Sequence, residues 1–218
     1  MLSVYPWSLC PLCFGAALHV APQALKGGLA IDIKLLKYPS EEDWLLVKKC
    51  ALRTVGKDSN IPPTSDWRRR ILEARHSPIR ELSFVFEIRD VPYWVAMHLT
   101  RHHVGAQPYI QSQRNDRQDK YDRCAARQDE PVDMIWSLNG EAVMTIANKR
   151  LCRLAAWETR LLVMQMCNLV ESVCPEYKGL LVPMCRWRNG LCDEMMPCYL
   201  IHVDGPGAHE KEAFHEKV

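Results

Sequence analysis

The feature that most constrains this fold is an alternating segment at residues 82–91, Leu-Ser-Phe-Val-Phe-Glu-Ile-Arg-Asp-Val. Large apolar side chains occupy every second position at Leu82, Phe84, Phe86 and Ile88, and most positions between them are polar. Successive side chains of a strand point to opposite faces of a sheet. The segment therefore predicts a half-buried strand, and the rest of the chain must supply a core for its apolar face.

Further strand and helix signals surround this segment. Residues 30–38 alternate in the same way and predict a second strand. Pro92 predicts the start of a helix that runs to Thr100. Ser40, followed by three acidic residues, predicts an N-cap and a helix that ends near Gly56.

The remaining segments are predicted to be mostly helical. Residues 67–73 predict a short basic helix, and residues 133–173 predict helix almost throughout, with a break and a new N-cap at Asn139. Residues 105–114 are predicted to be irregular and residues 115–128 partly helical. Helical spacing places three apolar residues of the long segment in the core: Trp157, Leu161 and Met164. The predicted class is α+β, with helices outweighing strands.

Composition limits the possible partners and compartments. The 218 residues carry 28 Lys and Arg against 26 Asp and Glu, which gives a formal net charge of +2 and no basis for a nucleic-acid or membrane partner. We expect an N-terminal extension at residues 1–28, one catalytic domain at residues 29–204 and a flexible tail at residues 205–218. The start of the chain lacks the basic residues of a secretory signal, and the ten cysteines lack the spacing of a secreted framework. We therefore expect a cytoplasmic protein.

The strongest functional signal follows the apolar helix that begins after Pro92. This helix leads into Arg101-His102-His103, and a loop with Gly and Pro then reaches Ser112 and Arg114. Guanidinium, imidazole and hydroxyl groups near a Gly-containing loop are the usual partners of a phosphate. These residues indicate a site for a nucleotide-like anion, and the alternative is a basic helix end beside the negative pole of its dipole.

This constellation resembles the signature of the flavin-dependent thymidylate synthase (ThyX) family. That signature is Arg-His-Arg, seven residues, a Ser, and an Arg two positions later. This chain has Arg101-His102-His103, eight residues, Ser112 and then Arg114. It therefore departs from the family pattern at His103 and by one extra residue in the loop.

Other blocks of the chain, from about residue 31 to residue 183, resemble the same family in the same order. Ser77-Pro78 precedes the alternating strand as it does in the family, and Asn139 lies where the family has a flavin-contacting Asn. Arg150, followed by Ala155-x-Trp157-Glu158-x-Arg160, is similar to the family's late helix. The resemblance implies a ThyX-like α+β fold, in which long helices pack on a small, mainly antiparallel sheet and flavin binds at subunit interfaces.

The resemblance also implies a role for each matching residue. The residues implied for FAD binding are Arg101, His102, His103, Asn139 and His76. The residues implied for binding the nucleotide are His98, Gln111, Ser112, Arg114 and Arg150, of which Arg114 and Ser112 are also the candidate catalytic residues. Arg123 and Arg127 are alternatives for a further phosphate contact, and no metal site is implied. In the family the late-helix Arg reaches into another subunit's site, so the resemblance implies a homotetramer.

The implied reaction is the reductive methylation of dUMP to dTMP with methylenetetrahydrofolate, NADPH and FAD. Ile110, where the family has Glu, and the longer loop leave open a methylase or hydroxymethylase of another pyrimidine nucleotide, such as UMP. A third alternative is a non-catalytic metal-binding protein. Its thiolate ligands would come from Cys174, Cys185, Cys192 and Cys198, together with Cys10 and Cys13.

Overall fold

A computed structural model of the chain describes residues 18–24, 30–117 and 122–198. The strands of this described part are β1 (Leu18–Ala24), β2 (Ala30–Lys37), β3 (Ser83–Pro92), β4 (Ala106–Ile110) and β5 (Pro131–Asn139). Its helices are α1 (Glu41–Arg53), α2 (Ser65–Glu73), α3 (Tyr93–Thr100), α4 (Gly140–Arg150), α5 (Trp157–Val173) and α6 (Met184–Trp187), with 3₁₀ turns at Ser77–Glu81 and Pro175–Tyr177.

The strands form one antiparallel sheet in the order β1-β2-β3-β5-β4. β3 lies in the centre, and Phe84, Phe86 and Ile88 on its inner face are fully buried. Burying each of these side chains stabilises the fold by about 1.5–3 kcal/mol. The α+β class, the antiparallel sheet and the predicted strands at residues 30–38 and 82–91 are confirmed.

The helices pack against the inner face of the sheet, where α5 contacts β1 and β2 and α3 contacts β3 and β5. The predicted N-cap of α1 is confirmed as a reciprocal capping box. Ser40 accepts a hydrogen bond from the backbone of Asp43, and Asp43 accepts one from the backbone of Ser40 at 2.7 Å. The predicted helices at residues 67–73 and after Pro92 are also present, as α2 and α3.

Two segments that were predicted to be helical or irregular are strands. Residues 131–139 form β5, and the prediction of helix there was wrong. Val132, Met134, Trp136 and Leu138 are all buried on one face, which is the two-residue period of a strand. Residues 106–110 form β4, which lies at the sheet edge, where a proline such as Pro108 is tolerated.

α5 is rotated relative to the prediction. Its buried face carries Thr159, Leu162, Met166 and Val170, whereas Trp157 and Met164 are 38% and 44% exposed. The core prediction was therefore wrong for these two residues, because the long helical segment offered two apolar faces and only one of them packs on the sheet.

The ends of the chain and one loop are described only in part. β1 lies within residues 1–28, for which no strand was predicted, and the rest of that predicted extension lies outside the described residues, as does the tail at residues 205–218. In the loop at residues 115–128, the described positions form turns rather than the predicted partial helix. No helix of the described chain is both long enough and apolar enough to cross a membrane.

Candidate functional site

The candidate site begins where α3 ends. His98 lies in the last turn of α3, and its ring meets Trp94 edge to face with the ring centres 5.3 Å apart. Thr159, fully buried on α5, places its hydroxyl oxygen 3.5 Å from His98 Nδ1. The end of α3 is therefore held by α5, and Arg101 and His102 follow directly.

Arg150, the last residue of α4, joins this helix end. Its Nε donates a hydrogen bond to His102 Nε2 at 2.8 Å, and its Nη2 donates to the backbone carbonyl of His98 at 2.7 Å. A guanidinium near the carbonyl end of a helix is favoured by the helix dipole. Residues 48 to 52 positions apart in sequence thus meet in one cluster, which we call the arginine–imidazole cluster: His98, Arg101, His102 and Arg150.

The electrostatics of this cluster favour neutral imidazoles beside cationic guanidiniums. Burial, with Arg150 and His103 nearby, lowers the pKa of His102 to about 4. Burial and the charges of Arg150 and Arg101 also lower the pKa of His98. In the described part of the chain neither Arg101 nor Arg150 forms an ion pair with a carboxylate. The cluster therefore carries uncompensated positive charge, which suits an anionic ligand.

An open groove of about 390 Å³ includes His103, the residue that follows His102 of the cluster in sequence. This volume is within the range of small-molecule sites, roughly 300–1,000 Å³. The groove is lined by Arg80, Leu82, Ser83, His103, Gly105, Ala106, Gln107, Ser137, Leu138 and Asn139. It therefore brings together two of the residues implied for FAD binding, His103 and Asn139.

Asn139 lies at the junction of β5 and α4 rather than within a long helix. Its Oδ1 accepts a hydrogen bond from the backbone of Ala142 at 2.8 Å, which confirms the predicted N-cap. Gly105 faces this side chain with a φ of +67°, and a Cβ there would overlap the Asn139 amide. Oδ1 is thus used by the helix, whereas Nδ2 has no partner in the described chain and remains available at the groove.

Gln111, Ser112 and Arg114 follow the opposite end of β4. Ala106 and Ile110 are four positions apart, about 13 Å at the rise of an extended strand. Gln111 bonds to the backbone of Asp133 through its own N–H and its side-chain oxygen, at 2.9 and 3.2 Å. Gln111 thus extends the pairing of β4 with β5.

Of the phosphate-binding candidates near this end, Arg114 and Arg127 are exposed and Ser112 is half-buried. Ser112 Oγ accepts the backbone N–H of Arg114 at 3.3 Å, and Arg114 forms a two-point ion pair with Asp116 at 2.6 and 2.8 Å. Arg127 pairs with Asp129 in the same manner. In the described chain no hydrogen bond or ion pair joins Ser112 or Arg114 to Arg150.

His76 and its neighbour Arg75 have different environments. His76 is exposed, and its side chain makes no capping bond to the 3₁₀ turn that follows. Arg75 stacks on Trp187, 4.2 Å from the ring centre, and donates to the fully buried Asn148. Asn148 in turn donates to the carbonyl of Val182 at 2.6 Å. Arg75, just after α2, thus contacts α4 and α6, and Asn148 joins α4 to the segment before α6.

Sequence reasoning missed Arg80, Gln107 and Thr159. Arg80 and Gln107 line the groove, and Thr159 contacts His98. Gln107 lies on β4, which was predicted to be irregular, so its place along the groove was not predicted. The contact of Thr159 spans 61 positions and has no local sequence signal.

The described cysteines do not form a metal site. In the described residues no group of three or more His, Cys, Asp and Glu side chains is arranged to hold a metal ion. Burial, with Glu176 nearby, raises the pKa of Cys174 to about 12, so this side chain is a thiol and a poor ligand. Cys10 and Cys13 lie outside the described residues.

Comparison with known proteins gives a structural likeness without a close sequence relative. No protein-family profile matches the chain, and no curated protein matches its sequence. The fold is similar to that of the UMP/dUMP methylase PolB from Streptomyces cacaoi solved with 5-Br dUMP. The TM-score is 0.56 at 15% identity, over 70% of this chain and 97% of that one. The same enzyme solved with 5-Br UMP gives a TM-score of 0.50 at 15% identity, over 70% and 96% of the two chains. The two proteins therefore share a fold.

Proposed function

We propose that this chain methylates the C5 carbon of a pyrimidine nucleotide, with dUMP and UMP as candidate substrates. The observation that carries the proposal is the arginine–imidazole cluster, in which Arg150 and Arg101 lack a carboxylate partner in the described chain. The next residue after His102, His103, lines the open groove. The same fold in a protein described as a UMP/dUMP methylase supports this choice of ligand. Arg150 would bind the phosphate, and His98 would contact the nucleotide.

The groove suits part of a flavin cofactor. Asn139 Nδ2, His103 and Gln107 offer hydrogen-bond donors to flavin oxygens or phosphates, and the missing Cβ of Gly105 lets the Asn139 amide pack directly against the backbone there. FAD is larger than the groove, so Arg101 and another surface would bind the remainder. When bound, FAD reduced by NADPH would supply the hydride, and methylenetetrahydrofolate would supply the carbon.

Within the chain, the proposed chemical role of Arg114 is electrostatic. C5 would attack the folate methylene carbon as an enolate, so negative charge would be on a ring carbonyl oxygen before the new carbon–carbon bond forms, and the C5 proton would then pass to water. A guanidinium beside a ring carbonyl would stabilise that charge. Because the ion pair of Arg114 with Asp116 is exposed, a ligand can displace Asp116 at low cost. Ser112 would donate a hydrogen bond to the nucleotide.

We also propose that the working unit is a homotetramer. No hydrogen bond in the described chain joins Ser112 or Arg114 to Arg150, and a second copy would complete a site that uses all three. The exposed outer face of α5, with Trp157 and Met164, offers an apolar surface for such a contact. The eight free cysteines of the described chain suit a reducing, cytoplasmic setting.

Two substrates remain to be compared. Synthesis of dTMP from dUMP is the finer proposal, which the family resemblance supports. UMP is the second candidate, because Ile110 and the eight-residue spacing alter the loop that leads to Ser112 and Arg114.

Mass spectrometry of the reaction products tests this function. The purified protein is incubated with FAD, NADPH, methylenetetrahydrofolate and either dUMP or UMP. We expect a product heavier than the substrate by one methylene group. Arg150→Met should abolish most turnover, and Arg70→Met, which removes an exposed arginine of α2, should retain it. Unmodified nucleotide in both wild-type reactions would exclude the proposed activity.

A further inference from the structure

We propose that His102 is a positioning residue, which holds Arg150 as an end-on fork for the nucleotide phosphate, and that His103 rather than His102 faces the flavin. This inference rests on the proposed function. It differs from the role that the family resemblance implies for His102, which is contact with FAD.

Arg150 uses only part of its hydrogen-bond donors within the protein. A guanidinium has five N–H groups in one plane. Nε and Nη2 form the side-on edge, and both donate within the protein, to His102 Nε2 and to the His98 carbonyl. In the described chain Nη1 has no partner. Two bonds on one edge fix the plane of the group, so Nη1 and the outer hydrogen of Nη2 form a ready donor pair for phosphate oxygens.

The hydrogen bond from Arg150 fixes which ring nitrogen of His102 carries the proton. Nε of Arg150 can only donate, so His102 Nε2 must accept, and the ring proton must be on Nδ1. Protonation of Nε2 would place two N–H groups against each other beside the charge of Arg150. The groups that face this ring are Arg150 and His103, and both disfavour an additional positive charge. His102 is therefore a neutral acceptor whose ring is committed to Arg150.

The two neighbouring histidines, His102 and His103, have different surroundings. His103 is exposed and lines the groove, and in the described chain its one hydrogen bond runs from Nδ1 to the Arg101 carbonyl, which accepts at 3.1 Å. His102 is half-buried and is not among the residues that line the groove. The position that replaces the family's second Arg thus faces the proposed flavin surface, whereas the central His supports the arginine.

Paired variants test the assignment. His102→Phe keeps a ring of similar shape and removes the acceptor, whereas His102→Gln retains an acceptor oxygen. We expect His102→Phe to weaken dUMP or UMP binding about tenfold, the effect of losing one charge-assisted hydrogen bond. FAD affinity should be unchanged, and His102→Gln should restore most of the nucleotide affinity. His103→Phe is the matched comparison and should weaken FAD binding instead. Loss of FAD affinity in His102→Phe with normal nucleotide binding would overturn the assignment.

A second readout needs no nucleotide. In ¹⁵N-histidine-labelled protein, NMR should show the His102 proton on Nδ1 in the wild type and on Nε2 in Arg150→Met. A proton on Nε2 in the wild type would refute the positioning role. If the wild-type protein binds neither dUMP nor UMP, the proposed function fails, and this tautomer still decides whether His102 supports Arg150. Circular dichroism melts identify any variant that fails to fold.

Discussion

Asn139 serves the fold and the candidate site with different atoms of one amide. Its Oδ1 caps α4, and its Nδ2 lies beside Gly105 at the groove. Asn139→Asp keeps the capping oxygen, so we expect unfolding free energy near that of the wild type, because Asn and Asp cap helices equally well. Asn139→Ala should lose about 1 kcal/mol. Both variants should bind FAD more weakly, as measured by fluorescence titration. Equal FAD affinity in Asn139→Asp and the wild type would remove Asn139 from the cofactor surface.

His102 also predicts a pH dependence of stability. Its pKa is about 4 in the folded protein, below the ordinary value of 6.5, because of burial and Arg150. Between these values the unfolded chain binds more protons, so the contribution is complete above the ordinary pKa and is lost as the pH falls through this window. Urea unfolding at about pH 7 and about pH 5 should therefore show a larger loss in the wild type than in His102→Gln. If the wild type and His102→Gln lost the same unfolding free energy between these pH values, the low pKa of His102 would be contradicted.

The sequence predicted which side chains carry the candidate site better than how they meet. Arg101, His102 and Arg150 were identified from their chemistry and from the family resemblance, and the structure brings them together. Their hydrogen bonds join residues from α3 and α4. No local pattern encodes such a contact, because it depends on how two helices pack on the sheet. The roles of these residues in binding remain predictions.

Some helices and strands were predicted from the sequence, and two strands were not. Capping signals and clean alternation located α1, α3 and β3, because those signals are local. β5 was mistaken for helix because its strand pattern runs directly into the apolar pattern of α4, and the change of period at Asn139 was taken as a break within one helix. β4 is short and contains Pro108, so its pairing with β5, rather than its own propensity, makes it a strand.

The turn from α3 to β4 offers a test at the level of elements. Gly105 has a φ of +67°, and an added Cβ would overlap Asn139. Gly56 has a similar φ of +70° with nothing within 4 Å, so Gly56→Ala carries the backbone strain alone. We expect Gly105→Ala to lose about 2 kcal/mol more unfolding free energy than Gly56→Ala, in denaturant melts. Equal losses of unfolding free energy in the two variants would mean that β4 and the N-cap of α4 can shift to accommodate the added Cβ.

Assembly is the prediction that belongs to the whole molecule. Met164 on the outer face of α5 and Leu46 on α1 are each 44% exposed, so they form a matched pair. If the α5 face joins subunits, Met164→Glu should dissociate the tetramer in sedimentation experiments, because a buried charge at an interface is costly. Leu46→Glu should leave it intact. A wild-type protein that sediments as a monomer would contradict the proposed assembly and the completion of the site by a second copy.

The central claim is that one site takes both a flavin and a pyrimidine nucleotide. The most direct measurement is the visible absorption spectrum of FAD-reconstituted protein during a titration with dUMP and, separately, with UMP. The account predicts a bound flavin band that shifts saturably with at least one nucleotide and shifts little in Arg150→Met. A bound flavin that responds to neither nucleotide, or a protein that retains no flavin after reconstitution, would contradict it.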